Sequence, residues 1–323
     1  MNSPSRVLIS GASGMIGTEL VRAFTANRIS VVHLVRKPTS DGQQEICWFP
    51  RSAQAIADPS LLEGFDAVIH LSGANVAAHR WTPAYKKEIV DSRVQTTQAL
   101  STLLAGLRHP PQTFLCASAT GIYGSRGDEI LTEKSVPGSE FLAECCIAWE
   151  ASAQPAKAAG IRVAHLRFGA VLSPQGGALA KILPLFRLRL GGRLGSGHQW
   201  MSWISLPDAI GAVAHILNTP QLAGPINMVS PIPVTNAEFT RTLAHAVHRP
   251  AILPAPAFAL RAALGEMADE ALLASGRVIP DQLTRTGFHF QHAPLASALE
   301  SLLGKCTPPP SLLRWTRNGM EKH

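Results

Sequence analysis

The chain has 323 residues, enough for one large domain or for a large domain with a smaller one. Hydrophobic residues make up 46% of it, which is ordinary for a soluble α/β protein with a sizeable core. The net charge of +7 is spread along the chain without a basic tail or a nucleic-acid motif. It therefore favours an anionic cofactor or substrate and excludes nucleic acid as the expected partner.

Targeting and metal signals are missing from the sequence. No apolar run reaches the roughly 18 to 20 residues of a membrane span, and a strand pattern starts within about six residues of Met1, leaving no room for a signal peptide. The five cysteines (Cys47, Cys116, Cys145, Cys146 and Cys306) lack the spacing of a zinc site or a disulfide framework. We expect a cytoplasmic protein with no metal and no membrane partner, and with its oligomeric state open.

The first elements form a strand, a glycine loop, a helix and a second strand. Apolar runs at 6–10 and 30–35 predict strands, and a helical pattern covers 15–26. Between them, Gly11, Gly14 and Gly17 give the spacing G-x-x-G-x-x-G, a variant of the dinucleotide-binding fingerprint in its required context. The predicted phosphate-binding residues are Gly11, Ser13, Gly14, Met15, Ile16 and Gly17.

The end of the second strand distinguishes the two nicotinamide dinucleotides. NAD enzymes usually carry Asp or Glu about 20 residues beyond the loop, where a carboxylate binds the ribose 2′-hydroxyl. Here Arg36 stands at that position and Lys37 follows. An arginine can pair with a 2′-phosphate, so the sequence predicts NADP(H) as the cofactor. The alternative interpretation is a solvated pair of surface cations.

Later elements alternate in the same way. A short run at 46–49 and buried runs at 66–72, 113–118 and 162–168 predict strands, and a long helix covers 83–104. This alternation predicts an α/β fold, a Rossmann doubly wound parallel sheet, whose ligands lie beyond the carboxyl ends of the strands. That rule selects Leu71, Gly73 and Ala74, the turn at 118–124, and Phe168 with Gly169.

The composition changes after about residue 175. Loops at 191–197 and a proline-rich, broken stretch at 231–256 precede helical patterns at 256–274 and 295–303. We predict an NADP-binding Rossmann domain over 1–175, with its sheet completed by 205–230. A smaller C-terminal substrate lobe with a helical domain follows over 176–305, and a peripheral tail over 306–323.

Thirteen short stretches resemble one known family. Among them are HLSGAN at 70–75 and SATGIYG at 118–124; the others are 9–17, 80–81, 92–93, 141–144, 149–150, 167–173, 176–177, 195–204, 265–267, 277–280 and 287–288. Together they span nearly the whole chain in order. The sequence resembles the extended short-chain dehydrogenase/reductases, and most closely their atypical, epimerase-like branch with a C-terminal domain of unknown function.

The resemblance implies a Tyr-x-x-x-Lys pair that this chain lacks. In the family, the tyrosine transfers a proton at the substrate oxygen, the lysine holds the nicotinamide ribose, and a glutamate commonly follows nine residues after the tyrosine. Counting back from Glu150 places Phe141 at the tyrosine position and Cys145 at the lysine position. Neither side chain can do the expected work. The two tyrosines, Tyr85 and Tyr123, are not followed by lysine four residues later.

Other residues are therefore candidates for catalysis. We select Ser118, a hydroxyl at a strand end; Tyr123, expected near the nicotinamide; and Glu144, about one helical turn from Phe141. Glu150 and His198 are further candidates for an acid or base. Each also has a plain structural interpretation: a capping hydroxyl, a helix-surface carboxylate or a residue of a mobile loop.

Two functional hypotheses remain from the sequence. The first is an NADP(H)-dependent oxidoreductase, or a nucleotide-sugar-epimerase-like enzyme, acting on a small-molecule substrate. The second is a sensor or scaffold that binds NADP(H) without catalysis, because the usual tyrosine and lysine are missing. Redox turnover distinguishes them.

Overall fold

The computed structural model describes residues 4–38, 44–52 and 54–304, together with the backbone of two short strands, Trp315–Thr316 and Gly319–Met320. The remainder of the predicted tail 306–323 lies outside the described residues. The central feature is a sheet of seven strands in which every pair is parallel. This confirms the predicted α/β, Rossmann-like fold class.

The seven strands of the sheet are β1 (Arg6–Ser10), β2 (Ser30–Val35), β3 (Glu45–Cys47), β4 (Ala67–His70), β5 (Thr113–Ala119), β6 (Arg162–Phe168) and β7 (Gly224–Met228). Their order across the sheet is β7-β6-β5-β4-β1-β2-β3. The chain builds outward from β1 to β3, then returns to the other side of β1. This reversal between β1 and β4 creates the crevice in which open α/β sheets bind ligands.

The helices in chain order are α1 (Met15–Ala26), α2 (Pro83–Ala105), α3 (Phe141–Ala151), α4 (Gln154–Ala158), α5 (Gly177–Arg187), α6 (Leu206–Asn218), α7 (Asn236–Ala246), α8 (Ala257–Leu264), α9 (Asp281–Arg285) and α10 (Leu295–Leu302). Short 3₁₀ turns cover Pro59–Leu62 and Thr120–Tyr123, and a π-helical turn covers Ala268–Leu272.

Helices cover both faces of the sheet, which explains why its strands are apolar throughout. Along β1, Val7 and Ile9 pack in one cluster with α1 and α6, whereas Leu8 packs in a second cluster with α2 and α4. All three side chains are fully buried. Successive residues of a strand point to opposite faces, so a strand covered on both faces needs a continuous apolar run.

A third cluster holds the C-terminal part together around Trp203 and Phe239. Two short parallel strand pairs, separate from the main sheet, join this part to the N-terminal part: Ala170–Leu172 with Trp203–Ser205, and Ile130–Leu131 with Arg277–Val278. A third, antiparallel pair lies within the C-terminal part and joins Trp200–Met201 to Val234–Thr235. The strand β7 falls within the stretch 205–230 expected to complete the sheet. The domain boundaries themselves stay a prediction.

One expectation about the C-terminal part was wrong, and a second was correct only in part. The proline-rich stretch 231–256 contains an ordered helix, α7, which begins with a capping box between Thr235 and Glu238. The helix expected at 256–274 instead ends at Leu264, because Gly265 adopts φ +64°, a left-handed conformation that stops an α-helix. A π-helical turn then follows. None of the helices within the described ranges is long and apolar enough to cross a membrane.

Candidate functional site

The glycine loop joins β1 to α1 and has no room for side chains. Gly11 has φ +73°, and a Cβ placed on it would lie 2.9 Å from the carbonyl carbon of Leu71. A Cβ on Gly17 would lie 2.2 Å from the Gly11 oxygen. The turn is closed by a hydrogen bond from the Gly14 amide to that same oxygen, at 3.0 Å. The three glycines thus permit a tight turn and close packing of helix on strand.

The N-terminus of α1 faces solvent beyond this turn. Gly14 is its N-cap and provides no side-chain hydrogen bond to the first turn. Ser13 and Gly14 are exposed, and the first turn, which includes Met15 and Ile16, carries no acidic residue. Main-chain N–H groups and the positive end of the helix dipole therefore remain available to an anion such as a pyrophosphate.

The loop after β4 lies against the glycine loop. The Leu71 amide donates to the Ser10 carbonyl at 3.1 Å, which places the two loops side by side at the crevice. Helix α2 fixes the next residues: the Ala74 amide donates to Ser92 Oγ at 3.0 Å, and Arg93 Nη2 donates to the Ala74 carbonyl at 3.0 Å. The structure thus brings together the predicted cofactor residues Leu71, Gly73 and Ala74 with the phosphate loop.

A glycine pair covers the start of α1 from the other side. Cβ atoms built on Gly176 and Gly177 would lie 3.1 and 3.4 Å from the Met15 side chain. These glycines precede α5, whose N-cap, Gly176, also gives no side-chain hydrogen bond. The predicted loop residue Met15 is therefore in contact with the C-terminal half of the chain, a contact that spacing in sequence does not reveal.

Arg36 lies directly beyond the end of β2 and is exposed, as is Lys37. On the same side of the sheet, Arg51 binds Glu88 through two hydrogen bonds of 2.8 and 2.9 Å. The hydrogen bonds and charge of Arg51 lower the pKa of Glu88, and the charge of Arg36 lowers it further. Arg36 is thus a solvent-facing cation at the carboxyl end of β2, as its position in the sequence predicts.

Phe168 and Gly169 form the turn after β6. Thr120 Oγ1 donates to the Phe168 carbonyl at 3.4 Å, and the Gly169 amide donates to Met228 at 3.3 Å. A Cβ on Gly169 would lie 2.5 Å from the Ser202 carbonyl oxygen, so a neighbouring strand occupies that space. The turn is therefore fixed between β5, β7 and the C-terminal part, at the same edge of the sheet as the glycine loop.

Ser118 and Tyr123 belong to a buried chain of polar contacts. Ser118 Oγ donates to Glu150 at 2.7 Å, Glu150 binds Arg167 through two hydrogen bonds, and Arg167 Nη1 donates to the Tyr123 oxygen at 2.9 Å. Tyr123 in turn donates to Asn227 Oδ1 at 2.7 Å. Both hydroxyls thus have protein partners, and their catalytic assignment stays a prediction.

Burial and charge oppose each other in this network. Burial alone would raise the pKa of Glu150, but the hydrogen bonds and charge of Arg167 outweigh it, and the pKa is lowered. For Tyr123, burial prevails over the same arginine and raises the pKa. Glu150 is therefore a carboxylate and Tyr123 a neutral phenol in the resting protein. A charged Glu150 and a neutral Tyr123 are the states expected for a structural ion pair between Glu150 and Arg167 with the Tyr123 hydroxyl bound to it. They favour that role over proton transfer by Glu150 or Tyr123.

Phe141 and Cys145, which the sequence predicts to stand at the positions of the family's tyrosine and lysine, lie in an apolar cluster. Trp81 meets Phe141 edge-to-face at 5.2 Å between ring centroids, and Cys145 and Met267 are buried in the same cluster. Burial raises the pKa of the Cys145 thiol, so the thiol stays protonated. Glu144, on the same helix, is exposed to solvent in the first turn.

The stretch 199–203 contains two tryptophans in different surroundings. Trp203 is fully buried and donates from Nε1 to the Ile232 carbonyl at 3.0 Å, so it is a core residue. Trp200 instead stacks beneath the Arg277 guanidinium, 4.3 Å from the ring centroid, and donates to Asp128 at 2.6 Å. His198 is exposed in the preceding loop.

Sequence reasoning missed two residues that shape this region. Arg93 is half-buried between the loop after β4 and α3, and its motif Ser92-Arg93 was noted only as part of the resemblance. Glu270 accepts hydrogen bonds from the Phe141 and Leu142 amides, at 3.3 and 2.8 Å, and so caps α3. The 129-residue separation between Glu270 and Phe141 leaves no local signal for this contact.

Within the described residues, no group of three or more His, Cys, Asp or Glu side chains is placed to hold a metal ion.

The parallel sheet, its reversal at β1 and the glycine loop define a dinucleotide-binding protein of the Rossmann type. A family model for the NAD dependent epimerase/dehydratase family matches residues 7–229. A second model, a domain of unknown function (DUF1731), matches residues 255–302. This chain belongs to the NAD-dependent epimerase/dehydratase family and carries that C-terminal domain.

Relatives and solved structures agree with this assignment. An epimerase family protein of Mycobacterium bovis is 44% identical over 293 residues, covering 91% of this chain and 96% of the relative. The human epimerase family protein SDR39U1, solved with NADPH, is 32% identical with a TM-score of 0.84 and covers 93% and 100% of the two chains. A nucleoside-diphosphate sugar epimerase from Corynebacterium glutamicum is 35% identical with a TM-score of 0.77, covering 94% of this chain and 59% of that one.

Proposed function

We propose that this protein is an NADP(H)-dependent oxidoreductase or epimerase-like enzyme acting on a small-molecule substrate. The observation that carries the choice of cofactor is the exposed guanidinium of Arg36 at the end of β2, where NAD-binding relatives of this fold need a carboxylate. The human relative solved with NADPH supports the same choice. The epimerase names of the other relatives support the reaction class.

The residues of the crevice fit a dinucleotide. Gly11 and Gly14 leave main chain accessible where a pyrophosphate must approach closely, and the buried Gly17 lets α1 pack against the loop. The first turn of α1 would direct free N–H groups at the pyrophosphate. Arg36 would pair with the 2′-phosphate. Leu71, Gly73 and Ala74 would lie along the cofactor's centre, and Phe168 with Gly169 would lie below its far end. A bound nicotinamide cofactor supplies hydride transfer, while the protein supplies orientation and electrostatics.

The proton donor is the open part of this proposal. Of the three predicted catalytic residues, Glu144 is exposed at the start of α3, whereas Ser118 and Tyr123 are buried with protein partners. Glu144 is therefore the candidate of the three whose side chain is exposed, and we propose to test it first. Replacing it, as Glu144→Gln, would abolish turnover if it donates the proton, and an unchanged rate would remove it from the mechanism.

The cofactor assignment is tested with Arg36→Glu. We expect NADPH to bind roughly a hundredfold more weakly, because a charge-assisted pair becomes a repulsion, while NADH affinity changes by less than about threefold. Lys134→Glu, an exposed residue of the same charge, serves as the control. Titrating both cofactors by fluorescence into the wild type and the two variants gives six dissociation constants. Equal weakening of NADPH and NADH by Arg36→Glu would refute the 2′-phosphate assignment.

A second candidate function is an NADP(H)-binding sensor or scaffold. The observation that favours it is the apolar cluster of Trp81, Phe141, Cys145 and Met267 at the place where the family's tyrosine and lysine work. A panel of carbonyl compounds and sugar nucleotides distinguishes the two functions. One-to-one binding of NADPH without oxidation across the panel supports the sensor, and turnover of any member supports the enzyme.

We further propose a cytoplasmic location. Within the described residues Cys47, Cys116, Cys145 and Cys146 are all free thiols, which suits a reducing compartment. Fractionation of cells that express the protein, followed by immunoblotting, tests this placement.

A further inference from the structure

Arg93 occupies a distinctive position between α2, α3 and the loop after β4. Its Nη2 donates to the Ala74 carbonyl at 3.0 Å and its Nη1 to the Ile89 carbonyl at 2.9 Å. The guanidinium lies 5.0 Å from the Trp149 ring centroid, in a cation–π contact. A Cβ built on Gly73 would lie 3.4 Å from Arg93 Cζ. The cation is therefore held rigidly against a loop that borders the crevice.

No carboxylate compensates this charge among the described residues. The partners of Arg93 are two main-chain carbonyls, the Ser92 hydroxyl and an aromatic ring, and none of the ion pairs in the described part of the chain includes it. Its charge acts on the neighbouring Cys145 thiol, where it opposes the rise in pKa caused by burial. A half-buried, uncompensated cation projects its field into the adjoining space because the low dielectric screens it weakly.

The topology of the sheet shows which half of a dinucleotide would feel this field. A dinucleotide lies across the reversal point, with one half over each group of strands. Arg36 follows the end of β2, on the side of β1 that would hold the adenosine half. Arg93 contacts Ala74 in the loop after β4, and β4 lies on the other side of β1, next to β5 and β6. Its field therefore falls on the nicotinamide half.

We infer that Arg93 is a specificity-determining residue that makes the site prefer the reduced cofactor, NADPH, to the oxidised cofactor, NADP⁺. The nicotinamide ring is positively charged when oxidised and neutral when reduced, so a fixed cation beside it disfavours the oxidised form. Arg93 thereby supplies the fixed charge that Cys145 cannot. This inference rests on the proposed cofactor function and specifies the redox state that the site selects.

The test compares two dissociation constants in each of four proteins. NADPH and NADP⁺ are titrated into the wild type and into Arg93→Met, Arg93→Lys and Ser92→Ala. In Arg93→Met, the ratio of the NADP⁺ constant to the NADPH constant should fall roughly tenfold, as expected from loss of one unit charge in a partly screened site. Arg93→Lys keeps the charge and should retain most of the ratio.

Ser92→Ala is the matched structural control. It removes the hydrogen bond from the Ala74 amide and so loosens the same loop without changing any charge. It should weaken both cofactors alike and leave their ratio unchanged. A purely structural role of Arg93 predicts that Arg93→Met behaves in the same way, and that result overturns the inference. If neither cofactor binds the wild type at all, the proposed function itself fails, which is a different outcome.

If Arg93→Met cannot be purified in folded form, Arg93→Gln replaces it, since glutamine keeps a donor for the Ala74 carbonyl. The same tenfold fall in the ratio is then expected. An unchanged ratio in Arg93→Gln with both cofactors still bound also overturns the inference.

Discussion

Glu150 and Arg167 form a bidentate ion pair that joins α3 to β6, with Nε–Oε1 and Nη2–Oε2 distances of 2.8 and 2.9 Å. Their side chains are only 14% and 8% exposed. Ser118 donates a hydrogen bond to Glu150, and Tyr123 accepts one from Arg167. The pair thus fixes the helix that carries Phe141 and Cys145 onto the sheet that carries the cofactor crevice.

Removing one charge of this pair should destabilise the protein strongly. Glu150→Gln leaves a buried arginine without a counter-charge, and we expect a loss of about 3–5 kcal/mol in the free energy of unfolding, measured in urea at pH 7. Glu129→Gln, which breaks an exposed pair with Arg126, should cost at most about 1 kcal/mol. Similar losses in the two variants would contradict the structural role given to the buried pair.

The same variant has a defined pH dependence. The pKa of Glu150 is lowered in the folded protein, so its stabilisation is fully present above the unfolded pKa of about 4.3 and is lost as the pH falls through the folded value. The difference in unfolding free energy between wild type and Glu150→Gln should therefore be constant near neutral pH and shrink below about pH 4. A difference that grows on acidification would reverse the assigned direction.

His70 should make the wild type sensitive to mild acid. It is fully buried, with Nδ1 2.5 Å from Ser10 Oγ, and burial lowers its pKa from 6.5 to about 4. The folded protein therefore binds fewer protons than the unfolded chain between these values. Stability is complete above pH 6.5 and falls towards pH 4, by about 2 kcal/mol between pH 6.5 and pH 5.

His70→Asn isolates that contribution, because asparagine can still bond to the Ser10 hydroxyl but does not titrate. The unfolding free energy is measured at pH 7 and at pH 5. Its decrease between these two pH values should be about 2 kcal/mol smaller in the variant than in the wild type. His165 and His215, whose pKa values burial also lowers, contribute equally to both proteins. Identical pH dependence in both proteins would show that His70 is protonated without penalty.

Gly17→Ala should damage the phosphate loop directly. Its new Cβ would lie 2.2 Å from the Gly11 oxygen and 2.8 Å from Ala12 Cα, so main chain has to move. We expect about 1–3 kcal/mol of destabilisation and at least roughly tenfold weaker NADPH binding. Gly106→Ala is the control, because its nearest atoms lie at an ordinary 3.7 Å. Full NADPH affinity in Gly17→Ala would show that the loop does not hold the cofactor.

A lysine at position 145, where the family's lysine is predicted to stand, should destabilise this protein. In Cys145→Lys, the new cation would be buried beside Arg93, and we expect about 2 kcal/mol or more of destabilisation relative to Cys145→Ala. Burial and the like charge would depress the lysine pKa, so the stability of the variant should rise with pH as the lysine loses its proton. Stability equal to that of Cys145→Ala at pH 7 would mean that Arg93 does not act on this position.

Local patterns predicted much of the sheet, because its strands are buried on both faces and therefore read as apolar runs. The ranges 6–10, 30–35 and 162–168 match the observed strands, and the helix expected at 15–26 matches α1. Predictions failed where one residue redirected the chain. Gly265 ends α8 through its positive φ, and the capping box at Thr235 starts a helix inside a proline-rich stretch.

The candidate site divides in the same way. The tight glycine loop and the exposed arginine at the end of β2 were predictable, because glycine spacing and a strand-end arginine are local features. Their role in holding a cofactor stays a proposal. The surroundings of Phe141 were not predictable, since Trp81, Lys86 and Glu270 approach it from other elements. Sequence spacing only predicts that Phe141 and Cys145 replace the usual tyrosine and lysine. The packing shows that these two residues lie in an apolar cluster with the Lys86 ammonium over the Phe141 ring.

The capping of α3 by Glu270 has a consequence for how the two family segments can be separated. Glu270 lies in the C-terminal segment, whereas the amides that donate hydrogen bonds to it belong to the N-terminal segment. Asp208 of the N-terminal segment likewise accepts hydrogen bonds from the Gln291 and His292 amides of the C-terminal segment. Each segment thus supplies carboxylates that cap main-chain amides of the other, and a cut between residues 229 and 255 would remove these partners from both fragments. We therefore expect that the boundary between the two family models is not a boundary for independent folding.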